Sequence, residues 1–173
     1  ILIGLVGSEM CIRDRYEEIL GTGYHHLSTQ PNTPVSVGEG VFVCENRHSL
    51  TAEQFETFQN VFSNISLVQL VDTRQFGIAG VIGGCGPAYG AMFIEALADA
   101  AVLYGLPREL SYALASQMLA GTGKMQVETK THPGAMKDAV CSPGGITIKG
   151  VAELERKGFR GAVIDAIDAV MKK

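Results

Sequence analysis

The chain has 173 residues, of which 46% are hydrophobic and 18% are charged, and its formal net charge is −4. This composition is typical of a soluble globular protein with a sizeable core, and the acidic balance gives no support for nucleic-acid binding. The four cysteines are far apart without a CxxC pair, and the four histidines lack metal-ligand spacing. The sequence therefore predicts no disulfide framework and no metal site, and it favours a reducing cytosol.

The first fifteen residues, ILIGLVGSEMCIRDR, differ in character from the rest. The apolar run 1–6 is too short to span a membrane, and no basic region precedes it, so it does not fit a signal peptide. The letters LVGSEMCIRDR resemble a translated sequencing adapter. We interpret residues 1–15 as a non-native, adapter-derived segment and expect the true N-terminal part to be missing.

Residues 16–72 read as the second half of an α/β unit. Thr51 and Gln54 form a capping-box pattern, and Phe55, Phe58, Val61 and Phe62 follow on one helical face. Two prolines bracket the loop Pro31-Asn32-Thr33-Pro34, which we expect at a ligand-facing edge. The predicted elements are a helical tail over 16–20, strands over 24–29, 41–44 and 66–71, and a helix after Thr51.

Residues 73–173 show no further strand pattern and are predicted to be all helical. A turn at Gly83–Ala88 interrupts the first long apolar run, and either Asp72 or Thr73 caps that run. The segment 88–104 is apolar nearly all round, so we expect a partner subunit to cover it. The remaining helices are expected at 110–126, with Leu114, Met118 and Met125 inward, at 136–140, at 146–157 and at 159–172.

The stretch HPGAMKDAVCSPGGITIK, residues 132–149, holds the strongest candidate site. A helix that starts directly after Ser142-Pro143-Gly144-Gly145 points free N–H groups and its positive dipole end outward, which suits a carboxylate or a phosphate. Ser142 and Thr147 add hydroxyl groups. On these residues alone, a capped connection between two helices remains the simpler interpretation, and the choice of anion stays open.

The other candidate sites in the sequence have weaker support. The run Ala120–Lys124 resembles a phosphate loop, but Met stands at both 118 and 125, where that motif needs Gly and Ser or Thr, and no GxGxxG occurs. Glu95 and Asp99 fit a solvated stripe or a partner contact better than an acid/base pair. Cys85 and Cys141 lack an activating neighbour in the sequence, which favours packing roles.

Three segments together resemble the pyrroline-5-carboxylate reductase family: PNTPVSVGEG (31–40), GCGPAYGAMFIEALADAAVLYGLPRE (84–109) and HPGAMKDAVCSPGGITIKGVAELERKGFRGAVIDAI (132–167). The resemblance covers about residues 24–170. It implies an α/β tail of a Rossmann-type domain followed by an all-α dimerisation domain. Residues 16–72 would form the C-terminal part of the NAD(P)-binding domain, and 73–173 the helical dimerisation and substrate-binding domain.

The resemblance also implies the activity, which is hydride transfer from NADPH or NADH to 1-pyrroline-5-carboxylate, the last step of proline biosynthesis. The expected partners are this small-molecule substrate and a second copy of the chain, with a ring of five dimers as a larger assembly. Neither nucleic acid nor membrane is expected as a partner, and the expected location is the cytoplasm. The choice between the two nicotinamide cofactors is left open.

Site residues follow from the same resemblance. Thr147 would be the catalytic hydroxyl nearest the imine nitrogen, and the substrate carboxylate would rest on N–H groups of Gly145 and Ile146. The substrate-binding residues would be Ser142, Gly144, Gly145, Ile146 and Thr147, and the cofactor would be bordered by Pro31, Asn32, Thr33 and Pro87. Thr73 departs from the family pattern, because some members carry an acidic residue near the substrate there, and Gly83 and Cys85 stand where the family's SGSGPA has serines.

The sequence leaves two alternatives to this function open. The literal 173-residue chain fits an inactive helical dimerisation fragment, since the cofactor fingerprint would precede it. A paralogous imine or keto-acid reductase on the same scaffold would share the motifs, and a substrate panel would separate the two enzymes.

Overall fold

The computed structural model describes residues 18–19, 21 and 23–172. The interpretation of residues 1–15, and most of the helical tail expected over 16–20, lie outside the described residues. The chain divides into two compact units, one reaching to Tyr89 and the other covering Gly90–Lys172. The proposed domain boundary between residues 72 and 73 stays a prediction.

Three strands form one mixed sheet in the first unit. Strand β1 (Thr29–Pro31) pairs antiparallel with β2 (Gly40–Glu45), which pairs in parallel with β3 (Ser66–Val71). The strands expected at 41–44 and 66–71 are confirmed. Pro31 is tolerated because it ends a strand at the edge of these three, where its missing N–H costs no ladder bond.

The strand expected over 24–29 is wrong except at its last residue. Residues 24–28 have no strand conformation, because polar bonds to Ser49 replace the regular ladder. The backbone N–H of His26 donates to Ser49 Oγ at 2.8 Å, and Ser49 N donates to the His26 carbonyl at 3.1 Å. His25 Nδ1 also bonds the Ser49 carbonyl, so the two adjacent histidines share Ser49 as a partner.

The connection between β1 and β2 is a 3₁₀ helix over Thr33–Val37. It ends at Gly38, whose φ of 80° lies in the left-handed region that favours glycine. A Cβ at Gly40 would lie 2.8 Å from Val35 Cα, so only glycine lets the chain pass here. The loop that carries the Pro31–Pro34 motif therefore has a defined backbone conformation.

Helix α1 (Ala52–Phe62) begins with the expected capping box. Gln54 N donates to Thr51 Oγ1 at 3.2 Å, and Thr51 N donates to Gln54 Oε1 at 2.9 Å. Its aromatic face packs on β2, where the Phe42 ring lies 4.6 Å from that of Phe62 and 6.1 Å from that of Phe58, centroid to centroid. Val61, expected on the same face, is 59% exposed.

Helix α2 (Thr73–Leu103) is continuous over 31 residues and contains Pro87. The predicted turn at Gly83–Ala88 is wrong, and its proline lies inside the helix. Asp72 caps α2, since Arg74 N donates to Asp72 Oδ1 at 3.0 Å. By length and composition alone α2 could cross a membrane, a test that a core helix of a soluble protein also passes.

The second unit contains the end of α2 and four further helices: α3 (Arg108–Thr129), α4 (Pro133–Ala139), α5 (Ile146–Arg156) and α6 (Phe159–Met171). None of the residues described after Val71 lies in a strand, which confirms the all-helical prediction. Leu114, Met118 and Met125, expected inward, are 44–56% exposed. The apolar and polar residues of α3 are spread around the helix rather than gathered on one face.

Candidate functional site

The turn between α4 and α5 has a defined backbone path. Gly145 N donates to the Ser142 carbonyl at 3.0 Å, and Gly144 has a φ of 70°. A non-glycine residue at 144 would be strained in that left-handed conformation. The Gly145 N–H, expected to contact a ligand, is thus already donated within the turn.

Helix α5 starts without a side-chain cap. Gly145 occupies the N-cap position and offers no side-chain acceptor. The first-turn N–H groups, those of Ile146, Thr147 and Ile148, are therefore available to an external acceptor. Together with the helix dipole they make this helix start electropositive, an arrangement that suits an anionic group.

Two hydroxyl groups flank this helix start. A Cβ at Gly145 would lie 2.4 Å from Ser142 Oγ, so glycine is what allows the Ser142 hydroxyl to lie against the start of α5. Ser142 and Thr147 are both exposed, and neither hydroxyl bonds any other residue in the part of the chain that the structure describes. The turn therefore offers N–H donors and two unengaged hydroxyls on one short segment.

The residues expected near the cofactor lie in the first unit. Pro31 and Thr33 are exposed on the loop that follows β1, at its carboxyl end. An apolar ring and a hydroxyl on such an edge fit the border of a flat, partly polar ring system. No GxGxxG phosphate loop accompanies them in the sequence.

Asn32 contacts α2 one helical turn before Pro87. Asn32 Nδ2 donates to the Gly83 carbonyl at 3.0 Å, and Asn32 Oδ1 accepts from Val41 N at 2.9 Å. Gly83 is one helical turn before Pro87 on α2. The structure thus brings together the loop and the proline-containing turn of α2, whereas the 142–147 turn belongs to the other unit.

Sequence reasoning missed a buried carboxylate. Glu45, only 7% exposed, ends β2 and accepts a hydrogen bond from Thr73 Oγ1 at 2.6 Å. The signal was a single acidic residue ending the apolar run VFVCE. Thr73 precedes Pro87 by fourteen residues on α2, about 21 Å along a helix, so Thr73 lies far from the part of α2 that meets the loop.

Covalent and metal chemistry find little support. Burial raises the pKa of the Cys44 thiol to about 12, so this cysteine stays protonated and unreactive. Asp99 pairs with Arg108, which also lies 5.5 Å from the centre of the Tyr112 ring. That pairing supports a structural role for the Glu95–Asp99 stripe. Among the described residues, no cluster of His, Cys, Asp or Glu could hold a metal ion.

The chain as a whole resembles known proteins of one family. A family model described as pyrroline-5-carboxylate reductase dimerisation matches residues 73–173. The pyrroline-5-carboxylate reductase of Treponema pallidum (strain Nichols) is 45% identical over 175 residues, and the match covers 99% of this chain and 66% of that protein. The corresponding Escherichia coli (strain K12) protein is 41% identical over 92% of this chain and 60% of its own length.

Solved structures give the same fold. A Plasmodium falciparum pyrroline carboxylate reductase with NADP bound matches with a TM-score of 0.80 and 34% identity, over 91% of this chain and 63% of that one. A pyrroline-5-carboxylate reductase from Coxiella burnetii matches with a TM-score of 0.84 and 29% identity, over 91% and 59%. The chain thus spans less than two thirds of the length of these relatives.

Proposed function

The chain belongs to the pyrroline-5-carboxylate reductase dimerisation family, and we propose that the protein it represents is a pyrroline-5-carboxylate reductase of the cytoplasm. The observation that carries this proposal is the start of α5, where free N–H groups and two hydroxyls are held by a glycine turn. Residues 16–72 then form the C-terminal part of a Rossmann NAD(P)-binding domain. Residues 73–173 form the helical dimerisation and substrate-binding domain.

The substrate carboxylate binds at the start of α5. Its oxygens accept hydrogen bonds from the N–H groups of Ile146 and Thr147, and the glycines Gly144 and Gly145 keep the approach open. Ser142 contributes a hydroxyl at the rim of this site. A carboxylate suits these donors because the helix dipole adds to each charge-assisted hydrogen bond.

Thr147 is the proposed catalytic residue. Its hydroxyl oxygen accepts a hydrogen bond from the protonated imine N–H of the substrate, which orients the C=N carbon and favours the protonated, more electrophilic imine. When bound, NADPH or NADH supplies the hydride that converts this carbon to that of L-proline. Pro31, Thr33 and Pro87 border the nicotinamide end, with Asn32 beside them, and exclude water there.

The active unit is a homodimer, with a decamer as the larger assembly. Support comes from the apolar side chains left exposed along α2 and α3, among them Met92, Leu114 and Met118. A second copy that covers them would remove this surface from water. In such a dimer the helical unit of one copy completes the site of the other.

The activity is tested on the complete gene product with purified 1-pyrroline-5-carboxylate. We expect oxidation of NADPH or NADH that depends on this substrate, and a panel of cyclic imines and keto acids tests for a paralogous reductase. A well-folded complete protein without such turnover would falsify the assignment. The 173-residue chain alone is expected to be inactive and dimeric, which light scattering and a cofactor-binding titration can measure.

Thr147→Ala tests the catalytic assignment. Loss of the hydroxyl should lower kcat/KM by about tenfold to a hundredfold, in the lower range for one positioned polar group, while the melting temperature stays near that of the parent. Thr57→Ala is the matched control, because Thr57 is exposed on α1 with its hydroxyl bonded only to the Glu53 carbonyl. Equal kcat/KM values for the parent and Thr147→Ala would remove Thr147 from the mechanism.

A further inference from the structure

Pro87 leaves a gap in the hydrogen bonding of α2. In a regular α-helix the N–H of each residue donates to the carbonyl four residues earlier, and proline has no N–H. The carbonyl that loses its donor at Pro87 is that of Gly83. Helices usually bend or open where such a carbonyl stays unsatisfied, yet α2 continues to Leu103.

The Asn32 side chain supplies the missing donor. Its Nδ2 atom lies 3.0 Å from the Gly83 carbonyl oxygen, within normal hydrogen-bond distance. Its Oδ1 atom accepts from the backbone N–H of Val41 at 2.9 Å. The orientation of the amide is fixed by these partners, because a flipped amide would set two acceptors and two donors face to face.

The helix lies close to the sheet on both sides of this hydrogen bond. The Gln30 side chain lies against Gly80, where an added Cβ would be 1.4 Å from Gln30 Oε1, and an added Cβ at Gly83 would make an ordinary contact of 3.7 Å with Val43 Cγ2. Asn32 does not cap the 3₁₀ helix that follows it with its side chain. Its amide instead links three elements of the first unit: the loop, β2 and α2.

We propose that Asn32 is a positioning residue that fixes the Pro31–Pro34 loop to α2 at the proline break and so sets the distance between the two surfaces that border the nicotinamide. The assignment to the nicotinamide rests on the proposed function. Asn32 acts through the backbone of Gly83 and Val41. The side chains that meet the cofactor are those of Pro31, Thr33 and Pro87.

A double-mutant cycle tests the link. Asn32→Asp keeps the acceptor for Val41 N but cannot donate to the Gly83 carbonyl, whereas Pro87→Ala restores a helical N–H to that carbonyl. In urea unfolding of the 173-residue chain, Asn32→Asp should lower the equilibrium constant for folding at least tenfold with Pro at 87, and less than threefold with Ala at 87. An equal loss in both backgrounds would overturn the link.

The matched control is Asn46→Asp. Asn46 is exposed and its side chain bonds no other described residue, so the same change in charge should alter the folding constant less than twofold. A tenfold loss in this control as well would assign the effect to charge and overturn the proposal. This comparison needs no cofactor and is decided on the chain itself.

The positioning role is tested on the complete reductase, well below its melting temperature. Asn32→Asp should lower kcat about tenfold while the Kd for NADPH changes less than threefold, since the nicotinamide is misplaced and the rest of the cofactor still binds. An unchanged kcat in an active enzyme would overturn the role. A parent enzyme without turnover would instead overturn the proposed function and the nicotinamide assignment with it, while the unfolding cycle still decides the link.

Discussion

The first unit and the start of α5 in the second unit differ in how their backbone groups are satisfied, and α4 of the second unit is capped by His132. In the first unit α1 has a complete capping box, Asp72 caps α2, and Asn32 satisfies the carbonyl that Pro87 deprives of a donor. In the second unit α5 starts at a glycine without any side-chain acceptor. A side-chain cap contributes about 1 kcal/mol, and α3 and α6 also start without one. The start of α5 differs from theirs by the two unengaged hydroxyls of Ser142 and Thr147, and this difference supports the proposed anion site.

Apolar surface divides in the same way. The first unit buries Phe42, Val43 and Cys44 on its central strand. The second unit fully or nearly buries only a few small residues among those described, such as Ala98 and Ala115, and leaves large apolar side chains exposed. The first unit therefore holds its own core, whereas the second presents surface that the proposed dimer would cover.

The largest expected effect on stability comes from the loss of an aromatic ring in the core of the first unit. Phe42→Ala should lower the free energy of unfolding by about 3–5 kcal/mol, because a buried ring is replaced by a cavity between Phe58 and Phe62. Phe159→Ala is the counterpart in the second unit, where the ring is 41% exposed and contacts Phe93 at 5.9 Å between centroids. Urea unfolding of the chain at low concentration should show a clearly smaller loss for Phe159→Ala; equal losses would contradict the contrast between the units.

Local sequence signals predicted the elements that local chemistry determines. The capping box at Thr51 and the apolar runs of β2 and β3 are confirmed, since each depends on neighbours within a few residues. The prediction of a strand at 24–29 was wrong because His25 and His26 hydrogen-bond to Ser49, which lies more than twenty residues away in the sequence. Such a side-chain to backbone competition leaves no periodic pattern to detect.

The candidate site shows the same limit. The glycine turn before α5 could be read from the sequence, and so could a helix start that favours an anion. The stretch Gly83–Pro87 was misread as a turn because glycine and proline normally end a helix. The compensating group, Asn32, lies 51 positions earlier, and only the fold brings it to Gly83. The buried Glu45–Thr73 pair was hidden for the same reason.

A smaller effect should come from the cap of α1. Thr51→Ala removes the acceptor for Gln54 N and should lower the free energy of unfolding by about 1 kcal/mol. Thr57→Ala, within the same helix, should leave it within about 0.5 kcal/mol, because alanine has the higher helix propensity. Thermal unfolding followed by circular dichroism measures both. An unchanged free energy of unfolding in Thr51→Ala would mean that the first unit does not depend on its caps.

The glycines of α5 should respond in opposite directions. Gly150 lies inside the helix with no atom within 4 Å of an added Cβ, so Gly150→Ala should raise the free energy of unfolding by about 0.5–1 kcal/mol. At Gly145 the added Cβ would meet Ser142 Oγ at 2.4 Å, so Gly145→Ala should lower it and displace Ser142. Thermal unfolding gives both signs, and stabilisation by Gly145→Ala would contradict the turn geometry on which the anion site depends.

The smallest expected effect is the pH dependence of the α2 cap. The backbone N–H of Arg74, and then its side chain, hydrogen-bond Asp72 and hold the pKa of that carboxyl below its usual value. A lowered pKa in the folded state means that the cap stabilises fully at a pH above the pKa of Asp72 in the unfolded chain, and that this stabilisation is lost as the pH falls through its pKa in the folded chain.

The variant Asp72→Asn keeps a hydrogen-bond acceptor but cannot titrate. The difference in melting temperature between parent and Asp72→Asn should therefore be present at about pH 6 and shrink progressively as the pH falls below the ordinary pKa of an aspartate. A difference that persists in acid would show that the charge of Asp72 is not what the first unit uses to hold the start of α2.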